Sequence, residues 1–290
     1  MTARSEAKPG ETTANARILR GITRPVWILS LVSFFADFSS EMVYPIIPLF
    51  ITGTLGAPAR AVGIVEGVAE GTANLTRLFS GRWSDRLRAR KPFVVAGYGL
   101  AAVGKLILGV AGAWPFALAG RAVDRFGKGI RGAPRDAMLA DLSDPRYRGR
   151  VFGFHRTADT LGAVVGPLVG LALLQLLDER LRIIILLAVI PGIASVLVLR
   201  WLPEHAPDAP KPAPKAASRA APAPSVHLPP SFWIFLGITT VFMLGNSSDA
   251  FLILRSKDLG LTTSLVILAY VGYNLVYTAL SFPAGAISDH

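Results

Sequence analysis

Apolar residues run along this chain in long unbroken blocks separated by short charged or proline-rich breaks. Eight blocks stand out, at about 26–52, 62–81, 93–113, 115–133, 151–177, 182–202, 232–254 and 263–285. Each is about the 20 residues that a helix needs to cross a bilayer core. The blocks are continuous rather than alternating, which excludes a membrane β-barrel. The fourth and fifth are interrupted by charged residues and are marginal on hydropathy alone. The pattern predicts an all-α membrane protein.

The breaks carry a second signal. Arg4, Lys8, Arg17, Arg20 and Arg24 precede the first block, whereas the next loop offers only Arg60. Arg82, Arg86, Arg88, Arg90 and Lys91 follow the second block, and an uncharged turn near Trp114-Pro115 follows the third. Arg135, Arg146, Arg148 and Arg150 come next, then Arg180 and Arg182 offset by Asp178 and Glu179. Basic residues therefore alternate from loop to loop, which predicts a cytoplasmic N-terminus in the cell (inner) membrane. The tail 1–25 has no apolar stretch of the signal-peptide kind. Residues 203–230 are rich in Pro and Ala and cannot build a packed core, so they read as a cytoplasmic linker. The expected organisation is a tail (1–25), a six-helix bundle (26–202), a linker (203–230) and the start of a second bundle (231–290).

Composition changes the picture in two places. Of 290 residues, 52% are apolar and only 17% charged, with a mean hydropathy of +0.48. That apolar surplus exceeds what a soluble domain carries. The net charge of +11 would suggest a nucleic-acid partner in a soluble protein, but the basic loops account for it here. Cysteine is absent, which removes disulfides, thiol catalysis and Cys-ligated metal. The four histidines have no metal-ligand spacing, and no catalytic triad or phosphate loop sits in a suitable context. Neither an enzyme nor a bound cofactor is expected.

A short repeat links the two parts. Gly81-x-x-Ser84-Asp85 closes the second block and Gly285-x-x-Ser288-Asp289 closes the eighth; Ser39-Ser40-Glu41 in the first has a counterpart in Ser247-Ser248-Asp249 of the seventh. Matching order and spacing argue for two halves of parallel orientation. The second copy stops within its own motif, so the chain reads as C-terminally truncated, with about four helices to come.

Ionisable residues inside membrane helices are costly and tend to pair or to line water-filled cavities. Asp37 and Glu41 share a face of the first helix, as do Glu66 and Glu70 of the second. Glu66 and Glu70 have Arg77 within reach as a partner on their own helix. Arg121, Asp124, Arg125 and Lys128 form a polar stripe on the fourth helix, and His155, Arg156 and Asp159 cluster on the fifth. The expected proton-coupling or substrate-cavity residues are Asp37, Glu41, Glu66, Glu70, Arg121, Asp124, Asp159, Asn246 and Asp249. Asp37 and Glu41 lead as coupling acids, with Arg121 as the cation that tunes them. Arg125, Lys128, Arg131, Arg135 and Asp136 are expected to snorkel to the interface, and Lys105 to find a carboxylate. Gly162, Gly166 and Gly170 repeat every four residues and predict close approach of a second helix, with Pro167 permitting a bend.

These residues resemble the major facilitator superfamily. Gly81-x-x-Ser84-Asp85-Arg86-x-Arg88-Ala89-Arg90-Lys91 is similar to the family's turn between helices two and three, with Arg88 where a glycine is usual. Arg121, followed by Gly127, Gly129 and Gly132, resembles a helix-four pattern linked to proton coupling. Gly162-x-x-x-Gly166-Pro167-x-x-Gly170 is similar to the helix-five pattern of antiporters, most like the drug/proton branch. The resemblance implies a bundle of six N-terminal helices plus the first two of a second half. It also implies gating roles for Gly81, Asp85, Arg86, Arg90, Gly162, Gly166, Pro167 and Gly170, with Asp85 and Arg86 in an inter-helix charge network.

The resulting expectation is a monomeric secondary transporter in the lipid bilayer that exports a small organic molecule by alternating access, with the proton as coupling ion. Its cargo is expected to be cationic, because acids outnumber bases in the deep parts of helices one, two and seven. Two alternatives stand beside it: a symporter that takes up a nutrient or metal complex, and a non-transporting membrane sensor or scaffold.

Overall fold

The computed structural model describes residues 21–87, 89–202, 229–245 and 249–287. Arg88, Asn246, Ser247, Ser248, Ser288, Asp289, most of the tail and most of the linker lie outside them. Nine helices appear among the described residues, numbered here in chain order. They are α1 (Arg24–Thr54), α2 (Ala59–Leu87), α3 (Arg90–Val110), α4 (Trp114–Asp141), α5 (Arg148–Leu176) and α6 (Leu181–Trp201). After the linker come α7 (Pro230–Leu244), α8 (Asp249–Asp258) and α9 (Thr263–Ile287). No strand occurs among the described residues.

Six stretches are long and apolar enough to cross a membrane, namely α1, α3, α5, α6, α9 and the stretch Pro230–Asp258 that takes in α7 and α8; α2 and α4 are not among them. The marginal fourth block met that expectation. The fifth block, also marked as marginal, passes, and the second falls short although its sequence raised no flag. The reason is the same in both helices that fall short: both carry charges along their length, and those that pair, Glu66, Glu70 and Arg77 of α2 with Arg121, Arg125 and Asp136 of α4, do so between the two helices.

The first helix is not uniform. Tyr44–Ile46 tightens into a 3-10 turn and Phe50–Thr54 opens into a π turn. Pro45 and Pro48 lack the N–H that would continue the α-helical ladder, and the irregularity begins three residues after Glu41. Prolines at the first turn of α4 (Pro115) and within α4, α5 and α9 (Pro134, Pro167, Pro283) follow the same chemistry. At the first turn the missing donor has no intrahelical partner to lose; within a helix its absence frees a carbonyl.

Packing runs α3 on α4, α1 on α5, α2 on α4, α9 on α5, and α6 against α1 and α3. Glycine sets these distances. A Cβ at Gly104 would lie 2.4 Å from the Asp124 backbone nitrogen, and one at Gly127 would lie 2.4 Å from the Gly97 carbonyl oxygen. Glycine on both sides thus brings the α3 and α4 backbones into contact. Two apolar clusters bracket the molecule along α1. One gathers Val26, Leu29, Tyr98, Leu139, Val151 and Leu202 near the α1 N-terminus; the other gathers Ile46, Phe50, Val62, Leu108, Ile184 and Ile267 near its C-terminus. Asp37 and Glu41 fall between them.

Apolar side chains also face outward, and charges inward. Leu176 is 76% exposed and Ile190 64%, whereas Arg121 is 4% exposed. A water-soluble protein does the reverse, so the surrounding solvent of this bundle is lipid.

Candidate functional site

The helices surround a cavity of about 510 Å³, built by α1, α2, α4, α5 and α9 at the depth of Asp37 and Glu41. Four of the sequence-predicted residues line it: Asp37, Glu41, Glu70 and Asp159. Arg77, Lys128, Arg131, Arg135, Asp136, His155 and Arg156 join them. The expectation that Lys128, Arg131, Arg135 and Asp136 belong to the interface is therefore corrected. Helix α4 continues to Asp141 instead of ending near residue 133, which keeps them on the cavity wall.

Most of these charges are paired. Arg77 reaches Asp136 at 2.9 Å, and Arg135 reaches the same carboxylate at 3.0 Å. Asp159 accepts from Arg156 at 2.8 Å and lies 3.8 Å from Arg135. Glu70 contacts Arg125 Nε at 3.0 Å as an ion pair without hydrogen-bond alignment. Glu66 and Glu70 thus take partners from α4 and not Arg77, correcting the expectation of pairing along α2. Glu41 accepts a 2.6 Å hydrogen bond from the Tyr270 hydroxyl. Asp37 and Lys128 have no ion pair among the described residues; Asp37 shares a side-chain hydrogen bond with Asp159, and Asp159, Lys128, Glu41 and Arg131 are the charges around it.

Glu66, Arg121 and Asp124 form a separate buried cluster. Arg121 donates through two nitrogens to Glu66, with contacts of 2.8–3.0 Å, and to Asp124 at 3.4 Å. Lys105 of α3 completes it, donating to Asp124 at 3.0 Å, as its sequence context suggested. Beside it a chamber of about 10 Å³, lined by Ser40, Lys105, Arg121 and Asp124, is the size of about one water. Arg121 is thus brought to Glu66 and not to Asp37 or Glu41; the cations beside Asp37 are Lys128 and Arg131. Asp249 sits in the first turn of α8, exposed and outside the cavity lining, and Asn246 lies outside the described residues.

A polar chain leads from the cavity toward the α1 N-terminus. His155 is within 3.4 Å of Ser30 and 3.3 Å of Ser33. The Ser33 hydroxyl also lies 3.3 Å from the Tyr98 hydroxyl and accepts from Arg135 at 3.0 Å. Arg131 lies over the Tyr98 ring, 4.3 Å from its centroid. At that same end Asp85 contacts Arg90 at 3.1 Å, and Arg90 also pairs with Asp141 of α4. Arg86 is exposed and has no ion pair among the described residues, so the expected Asp85–Arg86 network is built by Arg90 instead. Helix α2 continues to Leu87, carrying Arg86 to its outer face.

The glycine stripe of α5 does what its spacing predicts. A Cβ at Gly162 would lie 2.5 Å from the Phe34 carbonyl oxygen, at Gly166 2.7 Å from that of Phe38, and at Gly170 2.8 Å from that of Met42. Pro167 lies inside the helix. Gly81 faces Ala133 of α4 at 3.3 Å.

The α9 wall of the cavity was missed. Tyr273, Asn274 and Tyr277 line it, and Tyr277 receives a 3.2 Å hydrogen bond from Arg156. A signal was available: Tyr270, Tyr273, Asn274 and Tyr277 recur at one-turn spacing in an otherwise apolar helix, the spacing of a single face.

A multi-pass helical bundle enclosing a charged cavity at mid-depth defines a membrane protein of the transporter type. Residues 29–290 match the Major Facilitator Superfamily model, and the chain belongs to that family. It is 34% identical over 276 residues to the uncharacterized MFS-type transporter MJ1317 of Methanocaldococcus jannaschii, covering 93% of this chain and 67% of that protein. It is 35% identical over 135 residues to the multidrug resistance protein MdtH of Cronobacter sakazakii, covering 46% of this chain and 33% of that one. Among solved structures, the D-xylose-proton symporter aligns at a TM-score of 0.60 and 12% identity, covering 88% of this chain and 66% of that one, which speaks to fold alone. The chain spans between 45 and 67% of the length of the curated relatives it matches over most of its own length.

Proposed function

We propose that this chain belongs to a proton-coupled exporter of small organic molecules working by alternating access. The observation that carries the reading is the cavity itself, with Asp37 of α1 facing it outside any ion pair, hydrogen-bonded to Asp159 and with Lys128 among the charges beside it. A proton on Asp37 cancels its attraction for a neighbouring cation, and its departure restores that attraction. Proton and cargo then compete for one acid, which is sufficient for exchange. Lys128 takes the tuning part expected of Arg121, because Arg121 is held by Glu66 and Asp124 in its own cluster. Two further observations support export: the helix-five glycine pattern, and the partial likeness to a protein named for multidrug resistance. An inner-membrane location, a cytoplasmic N-terminus and a monomeric state complete the proposal.

The acid surplus that suggested a cationic cargo does not survive assembly. Five carboxylates (Asp37, Glu41, Glu70, Asp136, Asp159) and five bases (Arg77, Lys128, Arg131, Arg135, Arg156) line the cavity, because α4 and α5 contribute four of the bases and α2 the fifth.

The test is proton flux in liposomes containing the full-length protein, with a pH-sensitive dye inside and tyramine, phenylalanine and phenylpropionate added in turn under a proton gradient of either sign. Compound-driven proton movement opposite to the compound, lost in Asp37→Asn, is the expected result. Movement of both in one direction replaces export by symport. No compound-dependent flux in the unsubstituted protein overturns proton coupling and favours a sensor or scaffold.

A further inference from the structure

On the cavity wall Asp37 and Glu41 of α1 and Lys128 and Arg131 of α4 have no ion pair among the described residues. Asp37 shares a hydrogen bond with Asp159, Glu41 accepts one from Tyr270, and Arg131 contacts the Gly97 carbonyl and the Tyr98 ring, whereas Lys128 has no hydrogen bond among those residues. The other acids of the cavity are held in ion pairs. Unsatisfied charge inside a membrane protein is costly, so charges of both signs that face one cavity outside any ion pair mark where a ligand supplies the complement. A purely cationic ligand would answer Asp37 and Glu41 but face Lys128 with like charge; a purely anionic one would reverse the conflict. A molecule carrying an ammonium and a carboxylate answers both. The apolar part of the wall is aromatic, from Phe152, Tyr273 and Tyr277, which suits a hydrophobic side group.

We infer that the cavity selects zwitterionic small molecules of the amino-acid type, with the ammonium at Asp37 and Glu41, the carboxylate at Lys128, and the side group toward α9. The inference rests on the reading of this cavity as the cargo site. It does not depend on proton coupling.

The experiment is equilibrium binding to the purified full-length protein without any gradient, using trios that share one skeleton and differ only in charge. Phenethylamine, phenylalanine and phenylpropionate form one trio; isopentylamine, leucine and isocaproate form another. The zwitterion is expected to bind tightest in at least one trio, by about tenfold over its cation and its anion, the scale of one charge-assisted hydrogen bond. Lys128→Gln is expected to weaken the zwitterion and the anion by about tenfold and spare the cation, and Lys128→Arg to restore the order. Asp37→Asn with Glu41→Gln is expected to weaken the zwitterion and the cation and spare the anion. A cation that binds as tightly as its zwitterion, equal weakening of all three by Lys128→Gln, or zwitterions that fail to bind in both trios each overturn the inference. Loss of zwitterion preference alongside intact Asp37-dependent proton flux overturns this inference alone. The converse result overturns proton coupling alone.

Discussion

At the scale of the residue, the buried ion pairs divide by what they would leave behind if broken. Arg121 and Glu66 are 4% and 6% exposed and joined by three contacts of 2.8–3.0 Å. Removing Glu66 leaves the buried Arg121 with only its 3.4 Å contact to Asp124, which Lys105 already shares, a loss of about 3–5 kcal/mol. Asp85 is 61% exposed at its side chain, and its partner Arg90 keeps Asp141, so its loss is worth less than about 1 kcal/mol. Glu66→Gln is therefore expected to lower the unfolding midpoint in detergent well below that of Asp85→Asn. Equal midpoints would show that the Arg121 cluster is solvated and that its burial carries no energetic weight. Asp37 and Asp124 show how far single residues were legible. Both are acids on polar faces and were given similar roles. Only the assembled helices show that Asp124 is consumed by Lys105 and Arg121, whereas Asp37 lines the cavity outside any ion pair.

At the scale of the element, backbone approach matters more than hydropathy. The α1–α5 contact is set by Gly162, Gly166 and Gly170, where a methyl group would fall within 2.5–2.8 Å of α1 carbonyl oxygens. Gly166→Ala is expected to destabilise by about 1–3 kcal/mol, the scale of overpacking. Gly71 of α2 and Gly99 of α3 have nothing within 4 Å of a built Cβ, so Ala there is expected to be neutral or stabilising by up to about 1 kcal/mol through helix propensity. Thermal unfolding of the three variants decides it; equal losses would mean that the α5 stripe is no tighter than an open helix face. The stripe on α5 was readable because its spacing is regular. The α3–α4 zipper was not, since Gly97 and Gly104 match Gly127 and Gly120 only after two helices are laid side by side. For the same reason α2 and α4 were drawn too short, ending near residues 81 and 133 where the structure continues to Leu87 and Asp141. Charges that end an apolar block in a sequence window can remain inside a helix when another helix pairs them.

At the scale of the whole molecule, the arrangement commits each connection to one side. No cysteine occurs in these 290 residues, so single thiols introduced among them are clean reporters in this chain. Gly56→Cys and Gly112→Cys, in the α1–α2 and α3–α4 connections, are expected to react with a membrane-impermeant maleimide from outside intact cells. Asp144→Cys, in the α4–α5 connection, is expected to react only after permeabilisation. The opposite pattern would invert the topology and place the basic connections outside.

The sequence by itself determined the all-helical class, the family and the order of the membrane helices. These follow from local quantities: block length against bilayer thickness, charge in the breaks and short motifs at fixed spacing. It also placed the α5 glycine stripe, because one helix's period is a property of one segment. Tertiary structure alone decided which charges pair. Glu66 and Glu70 left Arg77 for Arg121 and Arg125, Arg90 displaced Arg86, and the bases of α2, α4 and α5 balanced the acids of the cavity. Ion pairing falls off over a few ångströms, and distances of that size between residues far apart in sequence exist only once the helices are packed.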